Sequence, residues 1–521
     1  MMLQHGCYSM RNLLLKSTLL KTISLLILAL SPALANAAET EQSGCTALSA
    51  MQLPNAAITL AAVVSAGEFT VAGTNNRAFE NLPAFCRVTA TLRPTADSHI
   101  NIELWLPLAQ WNGKFLAVGN GAFTGNIRHS SMVDPLLRGY ATSSSDTGHE
   151  GNTASFGLGH PEKVIDFGWR SVHAMTVVAK QLITAYYSSA PRYSYWNGCS
   201  AGGRQAMQQA QRFPTDFDGI IAGAPGLDWT GRAAAALRVA KELDANPAMQ
   251  LGAAERQLLH DAALNSCDAN DGVKDGVIDM PAQCRLDPAA LQCSAGATQA
   301  CLTPSQVSAA KLIYSAATNP ATGREIAGLL PGSEPGWTEL GWTQSARDTG
   351  DEQFKYLVYG DSNWTLDDFN FETDIVKAEQ DDNNTLNALS TNLSAFFDNG
   401  GKLLQYHGWS DPQISPANST QYYLSVVDAF GGRDAIHEDY RLFMVPGMGH
   451  CGGGPGTDSF DAVTALEVWV EQGTAPDTLS AEHRTQGVVD RSRPLCPFPD
   501  VATYKGSGST DAAENFVCKG P

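Results

Sequence analysis

The sequence predicts an α/β fold built on a parallel sheet that a long insertion interrupts. Two observations lead to this prediction. Short apolar segments typical of buried strands alternate with helical segments up to about residue 223, and the same alternation resumes at about residue 401. The region between them has a different composition, rich in Asp, Asn, Gly and Trp. One fold is therefore interrupted and then completed.

The first 37 residues have the pattern of a secretory signal peptide. Basic residues precede an apolar run, and small residues follow it: Arg11, Lys16 and Lys21, then 23–30, then 33–37. The apolar run is shorter than the roughly 20 residues that a membrane-spanning helix needs. We expect cleavage after Ala35 or Ala37, and therefore a secreted or periplasmic protein without a membrane anchor.

The formal net charge of the chain is −19. An acidic surface repels phosphate backbones and anionic lipids, which argues against nucleic acid as a partner. The sequence does not indicate an oligomeric state.

Ten of the eleven cysteines follow the signal peptide, and an even number in an exported chain predicts five disulfides. Short separations suggest two pairs and positions near the chain ends suggest two more: Cys267–Cys284, Cys293–Cys301, Cys45–Cys86 and Cys496–Cys518. Spacing alone does not fix the pairing among ten cysteines.

The elements of the first half follow one another in a regular order. From about residue 59 to 106, apolar and polar residues alternate, which predicts antiparallel strands near a sheet edge, including 85–92 and 100–106. The segments 114–118 and 139–142 have the composition of more deeply buried strands. Each of them ends in a loop rich in Gly or Ser.

Helices and strands alternate after this point: a helix over 164–185, a strand over 193–196, a helix over 203–213, a strand over 219–223, and, beyond the insertion, strands over 401–406 and 441–445. These boundaries divide the mature chain into two parts. One α/β domain comprises 38–226 and 396–521, and an inserted lid domain comprises 227–395.

A nucleophile motif lies between a predicted strand and a predicted helix. The run 198–202, Gly-Cys-Ser-Ala-Gly, matches G-x-S-x-G, in which the serine occupies a sharp turn from strand to helix. The flanking glycines are needed because a Cβ atom there would collide with the adjoining elements. This context predicts an α/β-hydrolase fold with Ser200 as nucleophile and the amide of Ala201 as one oxyanion donor.

A serine nucleophile needs a base, and the base needs a carboxylate to orient it. His450 lies in a glycine-rich loop after one predicted strand and Asp411 in a loop after another. Ligand crevices of open α/β sheets form at such strand ends, and the order Ser, Asp, His is that of α/β-hydrolases. We therefore predict Ser200, Asp411 and His450 as the triad.

Other residues compete for these roles: His149, His160 and His407 as base, and Asp146 and Asp218 as acid. Among them, His407 lies too near Asp411 in sequence to serve easily as the base.

The triad has a consequence for two cysteines. If Ser200 lies within hydrogen-bond reach of His450, then Cys199 and Cys451, which adjoin them in sequence, are also neighbours. Their Cα atoms could then fall within the roughly 4.4 to 6.8 Å that a disulfide requires. A Cys199–Cys451 bridge would hold the nucleophile to its base.

Several motifs together resemble the tannase/feruloyl esterase family, which includes mono(2-hydroxyethyl) terephthalate hydrolase. They are the run 198–204 around the serine, the loop 407–411 with its HGxSD-like pattern, and the segment 446–456, in which a cysteine follows the histidine. The resemblance covers nearly all of the mature chain. It implies the same triad and the Cys199–Cys451 bridge, and it places the second oxyanion donor at Ala122.

The resemblance also implies a serine carboxylic-ester hydrolase that forms an acyl-enzyme with small-molecule esters of aromatic acids, such as ferulate or gallate. We expect a feruloyl esterase-like preference, with a tannase or a terephthalate-monoester hydrolase as the alternative. The latter is less favoured, because the lid offers no clear counterpart of the arginine that grips the free carboxylate of that substrate.

Aromatic residues of the lid are candidates for the acyl pocket: Trp229, Trp337, Trp342 and Trp364. Two further classes stay open, a non-catalytic calcium-stabilised binding protein on the same fold and a peptidase.

Acidic residues at near-regular spacing occupy the loop 268–279 of the lid. Hard oxygen ligands of this kind suit Ca²⁺, although the loop is not an EF-hand because its twelfth position lacks the bidentate Glu. The family resemblance implies the ligands of a structural calcium ion: the side chains of Asp268, Asp271 and Asp275 and the carbonyl groups of Val273 and Val277. Asp279 is a candidate for the outer shell of the site.

Overall fold

The computed structural model describes residues 43–296, 298–338 and 349–520. The predicted signal peptide (1–37) and Trp342 lie outside these residues. The strands are β1 Ala56–Val64, β2 Phe85–Leu92, β3 Ile100–Pro107, β4 Lys114–Val118, β5 Ala141–Ser145, β6 Tyr193–Cys199, β7 Gly219–Gly223, β8 Ala317–Thr318, β9 Glu325–Ile326, β10 Lys402–Gly408, β11 Tyr440–Val445, β12 Leu479–Thr485, β13 Val488–Leu495, β14 Val501–Tyr504 and β15 Phe516–Lys519.

Within the described residues, nine strands form the central sheet in the order β1-β2-β3-β5-β4-β6-β7-β10-β11. At one edge, β1, β2, β3 and β5 pair antiparallel in succession. Every neighbouring pair from β5 to β11 is parallel. The predicted α/β fold with antiparallel strands at its edge is confirmed, and the carboxyl ends of β4, β6, β10 and β11 meet at one side of the sheet.

Helices cover both faces of this sheet. The α-helices that do not border the undescribed residues are α1 Val133–Leu137, α2 Pro161–Ile165, α3 Ser171–Tyr187, α4 Ala201–Arg212, α5 Trp229–Ala245, α6 Ala253–Cys267, α7 Pro304–Tyr314, α8 Phe371–Asp382, α9 Ser394–Asp398, α10 Pro416–Ala429 and α11 Ala462–Gln472. Successive side chains of a strand point to opposite faces. Phe115 accordingly belongs to the core that contains Met175 of α3, whereas Leu116 belongs to the core that contains Leu466 and Trp469 of α11.

The helix predicted over 164–185 is interrupted. A π-helical segment, Asp166–Arg170, separates α2 from α3. A π-turn disturbs the regular helical bonding, and Arg204 of α4 donates to the carbonyl oxygens of Phe167 and Gly168 at 3.1 and 2.8 Å. The periodicity of the sequence indicates the helix but not its break, because these partners come from a different helix.

The chain leaves the sheet after β7 and returns to it at β10, and these two strands are direct neighbours in the sheet. The helices α5 to α8 lie between them in sequence and share a hydrophobic core of their own, which includes Leu237, Leu259, Ile313 and Ile375. No helix in the described ranges is long and apolar enough to cross a membrane.

Five disulfide bridges occur in the described residues: Cys45–Cys86, Cys199–Cys451, Cys267–Cys284, Cys293–Cys301 and Cys496–Cys518. Each matches a pairing expected from the sequence. One of them, Cys199–Cys451, joins the end of β6 to the loop that follows β11 and spans 252 residues of sequence.

Candidate active site

Ser200 lies in the turn between β6 and α4. Its backbone has φ 64° and ψ −119°, a strained conformation for a non-glycine residue. The turn is tight because its neighbours are glycines: a Cβ atom on Gly198 would lie 2.5 Å from the carbonyl oxygen of Gly202, and one on Gly202 would lie 3.1 Å from the backbone of Gly119. These close approaches produce the strand–turn–helix geometry that exposes a nucleophilic serine.

Asp411 and His450 come from the loops that follow β10 and β11, and the structure brings them together. His450 Nδ1 donates to Asp411 Oδ2 at 2.7 Å. The second carboxylate oxygen, Oδ1, accepts from the amides of Gln413 and Ile414 at 2.7 and 3.0 Å. Asp411 is fully buried. Burial alone would raise its pKa, but the charges and hydrogen bonds of His450 and His407 hold the pKa well below its usual range.

His407 was a competing base in the sequence, but in the structure it contacts the same carboxylate oxygen of Asp411 as His450 does. Its Nε2 lies 3.0 Å from Asp411 Oδ2 and 3.1 Å from the carbonyl oxygen of Ile414. Both partners accept, so we assign the proton to Nε2. Nδ1 is then free to accept from the hydroxyl of Ser419 at 2.7 Å. His407 therefore supports the carboxylate of Asp411 through Nε2.

The hydrogen-bonded chain continues behind Ser419 into the core. Gln405 Nε2 donates to Ser419 Oγ at 2.7 Å, and the hydroxyl of Tyr440 donates to Gln405 Oε1. All of these side chains are buried. Because each polar atom of the chain has a partner, the orientation of His407 is determined by groups from β10, β11 and α10.

The nucleophile and the base are joined through their neighbours. The Cys199–Cys451 bridge has a Cα–Cα distance of 6.1 Å, so the residues before Ser200 and after His450 are covalently linked. In the described residues no hydrogen bond joins Ser200 Oγ to His450. Such bonds are often long before substrate binds. The structure thus places the two side chains on adjoining loops.

The loop after β4 contains the expected second oxyanion donor. Ala122 has φ 41°, a left-handed conformation that is uncommon for alanine. Two side chains hold the loop on either side of it. Asn120 Nδ2 donates to the carbonyl oxygen of Ser145 at 2.9 Å, and His149 Nε2 donates to that of Phe123 at 2.7 Å. Ala201 opens α4, so its amide has no acceptor within the helix.

The remaining competing residues are engaged elsewhere. His149 donates to the loop after β4, and His160 pairs with Asp97 at 2.7 Å. Asp146 accepts from the amides of Asn101 and Gly148, and Asp218 accepts from the amide of Ser194. None of these contacts involves Ser200 or His450.

Trp229 is the predicted lid tryptophan that packs beside the turn of Ser200. It packs with Phe123, Phe167 and Ala201 in one small cluster, so an aromatic wall adjoins the first residue after Ser200. Trp337 and Trp364 belong to the core of the insertion instead.

The acidic loop of the insertion is held by its own amides. Asp268 accepts from the amides of Asp275 and Gly276 at 3.0 and 3.1 Å, and Asp271 accepts from that of Val273 at 3.0 Å. Asp275 also accepts from Arg493 Nη2 at 2.6 Å. The donors are of the hard-oxygen type that calcium prefers, but nowhere in the described part of the chain are three His, Cys, Asp or Glu side chains grouped to hold a metal ion.

A family model described as tannase and feruloyl esterase matches residues 86–519. The chain belongs to this family. An uncharacterized esterase of Xanthomonas campestris is 38% identical to it, over 96% of this chain and 94% of that protein. Mono(2-hydroxyethyl) terephthalate hydrolase of Piscinibacter sakaiensis is 35% identical, over 84% of this chain and 85% of that protein.

A crystal structure of feruloyl esterase B from Aspergillus oryzae superposes with a TM-score of 0.86 and 29% identity, covering 92% of this chain and 100% of that one. The protein is therefore a carboxylic-ester hydrolase of the tannase and feruloyl esterase family, with an α/β-hydrolase-like fold.

Sequence reasoning missed two contributions to the site of this esterase. His407 was weighed only as a base, although its position on β10 four residues before Asp411 was the available signal. No motif in the sequence indicated a role for Arg232 of α5 at the site. Its Nε donates to the carbonyl oxygen of Gln413 at 2.9 Å, which ties the insertion to the acid loop. Burial lowers the pKa of Arg232 to about 10, and the charge of Asp411 opposes this shift.

Proposed function

We propose that this protein is a secreted serine esterase that hydrolyses esters of phenolic acids, with Ser200 as nucleophile, His450 as base and Asp411 as the orienting acid. The observation that carries the proposal is the pairing of two contacts. His450 Nδ1 donates to the buried Asp411, and the Cys199–Cys451 bridge joins the loop of His450 to the turn of Ser200. An oriented imidazole beside a strained serine is the arrangement that acyl transfer requires.

The reaction proceeds in two halves. His450 Nε2 takes the proton of Ser200 Oγ as the serine attacks the ester carbonyl carbon, and the amides of Ala201 and Ala122 stabilise the oxyanion. The protonated His450 then gives its proton to the leaving alcohol, and the acyl-enzyme remains. Water, deprotonated by His450, attacks the acyl carbon and releases the acid and the free serine. Asp411 stays ionised throughout and stabilises the imidazolium.

The preference for aromatic acids is supported by the surroundings of Ala201. Phe123 and Trp229 pack edge to face at 5.4 Å beside the oxyanion donors, and an aromatic ring of the acyl group would gain favourable contacts there. The names of the Aspergillus and Piscinibacter relatives refer to esters of aromatic acids.

The test is hydrolysis of methyl ferulate, methyl gallate, mono(2-hydroxyethyl) terephthalate and p-nitrophenyl acetate, together with the amide of ferulic acid. We expect ferulate esters to give the highest kcat/KM and the amide to be inert. Ser200→Ala should reduce kcat by at least about 10⁴-fold, whereas Ser189→Ala, an exposed serine outside the site, should not. Turnover that survives Ser200→Ala, or cleavage of the amide, would contradict the proposal.

We further propose that the loop 268–279 binds a structural calcium ion through Asp268, Asp271 and Asp275 and the carbonyl groups of Val273 and Val277. The support is the oxygen donor set and the concentration of negative charge in one loop. Binding would draw the carboxylates together and stabilise the insertion by mass action.

The calcium proposal is tested by calorimetric titration of the chelator-treated protein and by its melting temperature. We expect one ion to bind and the melting temperature to rise. Asp271→Asn should weaken both effects, and Asp261→Asn, on the neighbouring helix α6, should leave them unchanged. Absence of binding to the wild type would refute the proposal without touching the triad.

Export is tested by measuring the mass of the protein after its secretion. We propose cleavage after Ala35 or Ala37, so the mature chain should begin at Asn36 or Ala38 with its ten remaining cysteines oxidised. A chain that retains residues 1–37 after export would contradict this proposal.

A further inference from the structure

Arg204 is a buried cation on the helix that follows the nucleophile. It lies one turn after Ser200 in α4, and its backbone amide donates to the carbonyl oxygen of Ser200 at 3.0 Å. The residue has no exposed surface, and within the described residues it forms no ion pair with a carboxylate. Burial lowers the pKa of Arg204 to about 10, and the charge of Asp382 opposes this shift. A buried charge is costly unless other groups compensate it, so the partners of this cation indicate its role.

Backbone carbonyl groups and aromatic rings compensate the charge of Arg204. Its Nη1 and Nη2 donate to the carbonyl oxygens of Gly168 and Phe167 at 2.8 and 3.1 Å. The Cζ atom lies 4.8 Å from the ring centre of Phe167 and 5.0 Å from that of Trp229. A cation is attracted to the face of an aromatic ring by the ring quadrupole, and the attraction is stronger away from water. The guanidinium group therefore holds these two rings as well as the backbone of the π-helical segment.

The two rings are part of the aromatic wall beside Ala201. Phe123, Phe167, Trp229 and Ala201 belong to one buried cluster. Phe123 contacts Trp229 edge to face, with 5.4 Å between the ring centres, and Phe167 contacts Trp229 in the same way at 6.0 Å. Rings packed this closely transmit a change in the tilt of one to the others. The position of Arg204 therefore determines the shape of the wall near the oxyanion donors.

The same face of α4 holds the chain segment 384–388, which returns from the insertion toward the sheet. Side chains three, four, seven or eight residues apart lie on one face of a helix, and four such side chains donate to carbonyl groups of this segment. The bonds are Arg204 to Leu386 at 3.4 Å, Gln208 to Asn387 at 2.7 Å, Gln211 to Ala388 at 3.0 Å and Arg212 to Asn384 at 2.6 Å. Arg204 adds its contacts with Phe167 and Trp229, so it joins α4, the insertion and the aromatic wall.

We propose that Arg204 is a positioning residue of the acyl pocket, which holds Phe167 and Trp229 in the orientation against which an aromatic acyl group packs. Arg204 then determines the selectivity for aromatic over aliphatic acyl groups without touching the reacting atoms. The inference rests on the proposed esterase reaction and adds the residue on which its acyl selectivity depends. A role in stability alone predicts the same proportional loss of activity toward every ester.

The experiment compares p-nitrophenyl ferulate with p-nitrophenyl butyrate, which share a leaving group and differ in the acyl group. We expect the wild type to favour the ferulate in kcat/KM. Arg204→Met, which keeps a long unbranched side chain but removes the charge, should reduce this preference about tenfold, as the loss of one aromatic contact predicts. The loss should appear in KM for the ferulate with kcat little changed, because the contact is made before and during the reaction. Arg204→Lys, which restores a cation without the planar fork, should recover part of the preference.

Gln211→Met provides the matched control, because Gln211 holds the same segment from the same face of α4. It should retain the wild-type preference. Phe167→Leu removes one of the rings and leaves the cation, so it should lower the preference as Arg204→Met does. The double variant of Arg204 and Phe167 should lower the preference no further, because both changes remove the same contact. Circular dichroism verifies the folding of each variant.

The proposal is overturned if Arg204→Met lowers kcat/KM for both esters in the same proportion, or if Gln211→Met loses the preference equally. It is also overturned if Phe167→Leu retains the preference, and this variant tests the same contact if Arg204→Met does not fold. A wild type without a preference for the ferulate overturns the proposal independently of the folding of any variant. Hydrolysis of neither ester by the wild type would instead refute the proposed function itself.

Discussion

His450 and His260 line the same cavity, and each donates from Nδ1 to a buried carboxylate, at 2.7 and 3.0 Å. The carboxylates differ in what surrounds them. Asp411 takes hydrogen bonds from a second histidine and from two amides of its own loop, whereas Glu334 takes them from a tyrosine and from one glycine amide.

The two pairs also differ in how they are connected to the nucleophile. The loop of His450 is joined to the turn of Ser200 by a disulfide, and His260 belongs to a helix of the insertion. We attribute the proposed role of His450 as base to its position relative to Ser200 and to the support of its carboxylate.

The largest expected effect comes from removing the charge of each carboxylate. Asp411→Asn should lower kcat by about 10⁴-fold, because the base loses its orientation and the imidazolium loses its counter-charge. Glu334→Gln should leave kcat for propyl ferulate within about threefold. Steady-state kinetics on both variants provides the measurement, with circular dichroism to verify folding. Equal losses of kcat would remove the distinction between the pairs.

The second largest effect should come from removing a hydrogen-bond donor from each carboxylate. His407→Gln removes a hydrogen bond to a charged group, which contributes about 1.5 to 3 kcal/mol, so kcat should fall about 10- to 100-fold with KM little changed. Tyr314→Phe, which removes the corresponding support of Glu334, should leave kcat unaltered. A loss in His407→Gln that appears only in thermal stability would show that His407 supports the fold and not the base.

Removing the Cys199–Cys451 disulfide should lower kcat by a smaller factor. Replacing both Cys199 and Cys451 by Ser should lower the free energy of unfolding by about 2 to 4 kcal/mol and kcat by about tenfold, because the loops of nucleophile and base can then separate. The double variant of Cys293 and Cys301, a bridge across only eight residues of the insertion, should leave kcat unchanged. Denaturant titration and turnover assays distinguish the two, and unchanged kcat in the first variant would contradict the role of the bridge.

The smallest effect is the response of stability to acid. The pKa of Asp411 is held well below that of an unfolded aspartate, about 3.9, so its charge stabilises the fold fully above that pH. This contribution is lost as the pH falls through the lower, folded pKa. Denaturant titrations should therefore show the wild type losing its advantage over Asp411→Asn below about pH 4. A constant difference between pH 7 and pH 3 would contradict the lowered pKa.

Local patterns in the sequence predicted most of the sheet and the placement of Ser200, Asp411 and His450 at the ends of its strands. The segment 198–202 indicates its own turn, because its glycines are required by contacts within the turn and with the adjoining loop. Asp411 and His450 each follow a strand, and parallel strands bring such positions to one side of a sheet. The alternation of apolar and polar residues over 85–92 and 100–106 likewise predicted strands β2 and β3.

The contacts that escaped prediction join residues far apart in sequence or come from side chains whose type is ordinary. His260 and Glu334 are 74 residues apart, and neither lies in a recognisable motif. Arg232 reaches the loop of Asp411 across 181 residues. His407 was considered a poor candidate for the base because it is only four residues from Asp411 in sequence. Nothing in the sequence indicated the buried hydrogen bonds that connect it to Tyr440. Such contacts depend on packing that periodicity does not encode.

The connection between β7 and β10 has a consequence beyond this enzyme's own chemistry. Since the two strands pair directly, the insertion departs from and rejoins the sheet at neighbouring points, and it carries its own hydrophobic core. Sequence changes between these points can reshape the wall of the cavity while the strands that present Ser200, Asp411 and His450 keep their register. The junction is thus a suitable crossover point at which segments from related esterases could be exchanged to obtain new substrate selectivity.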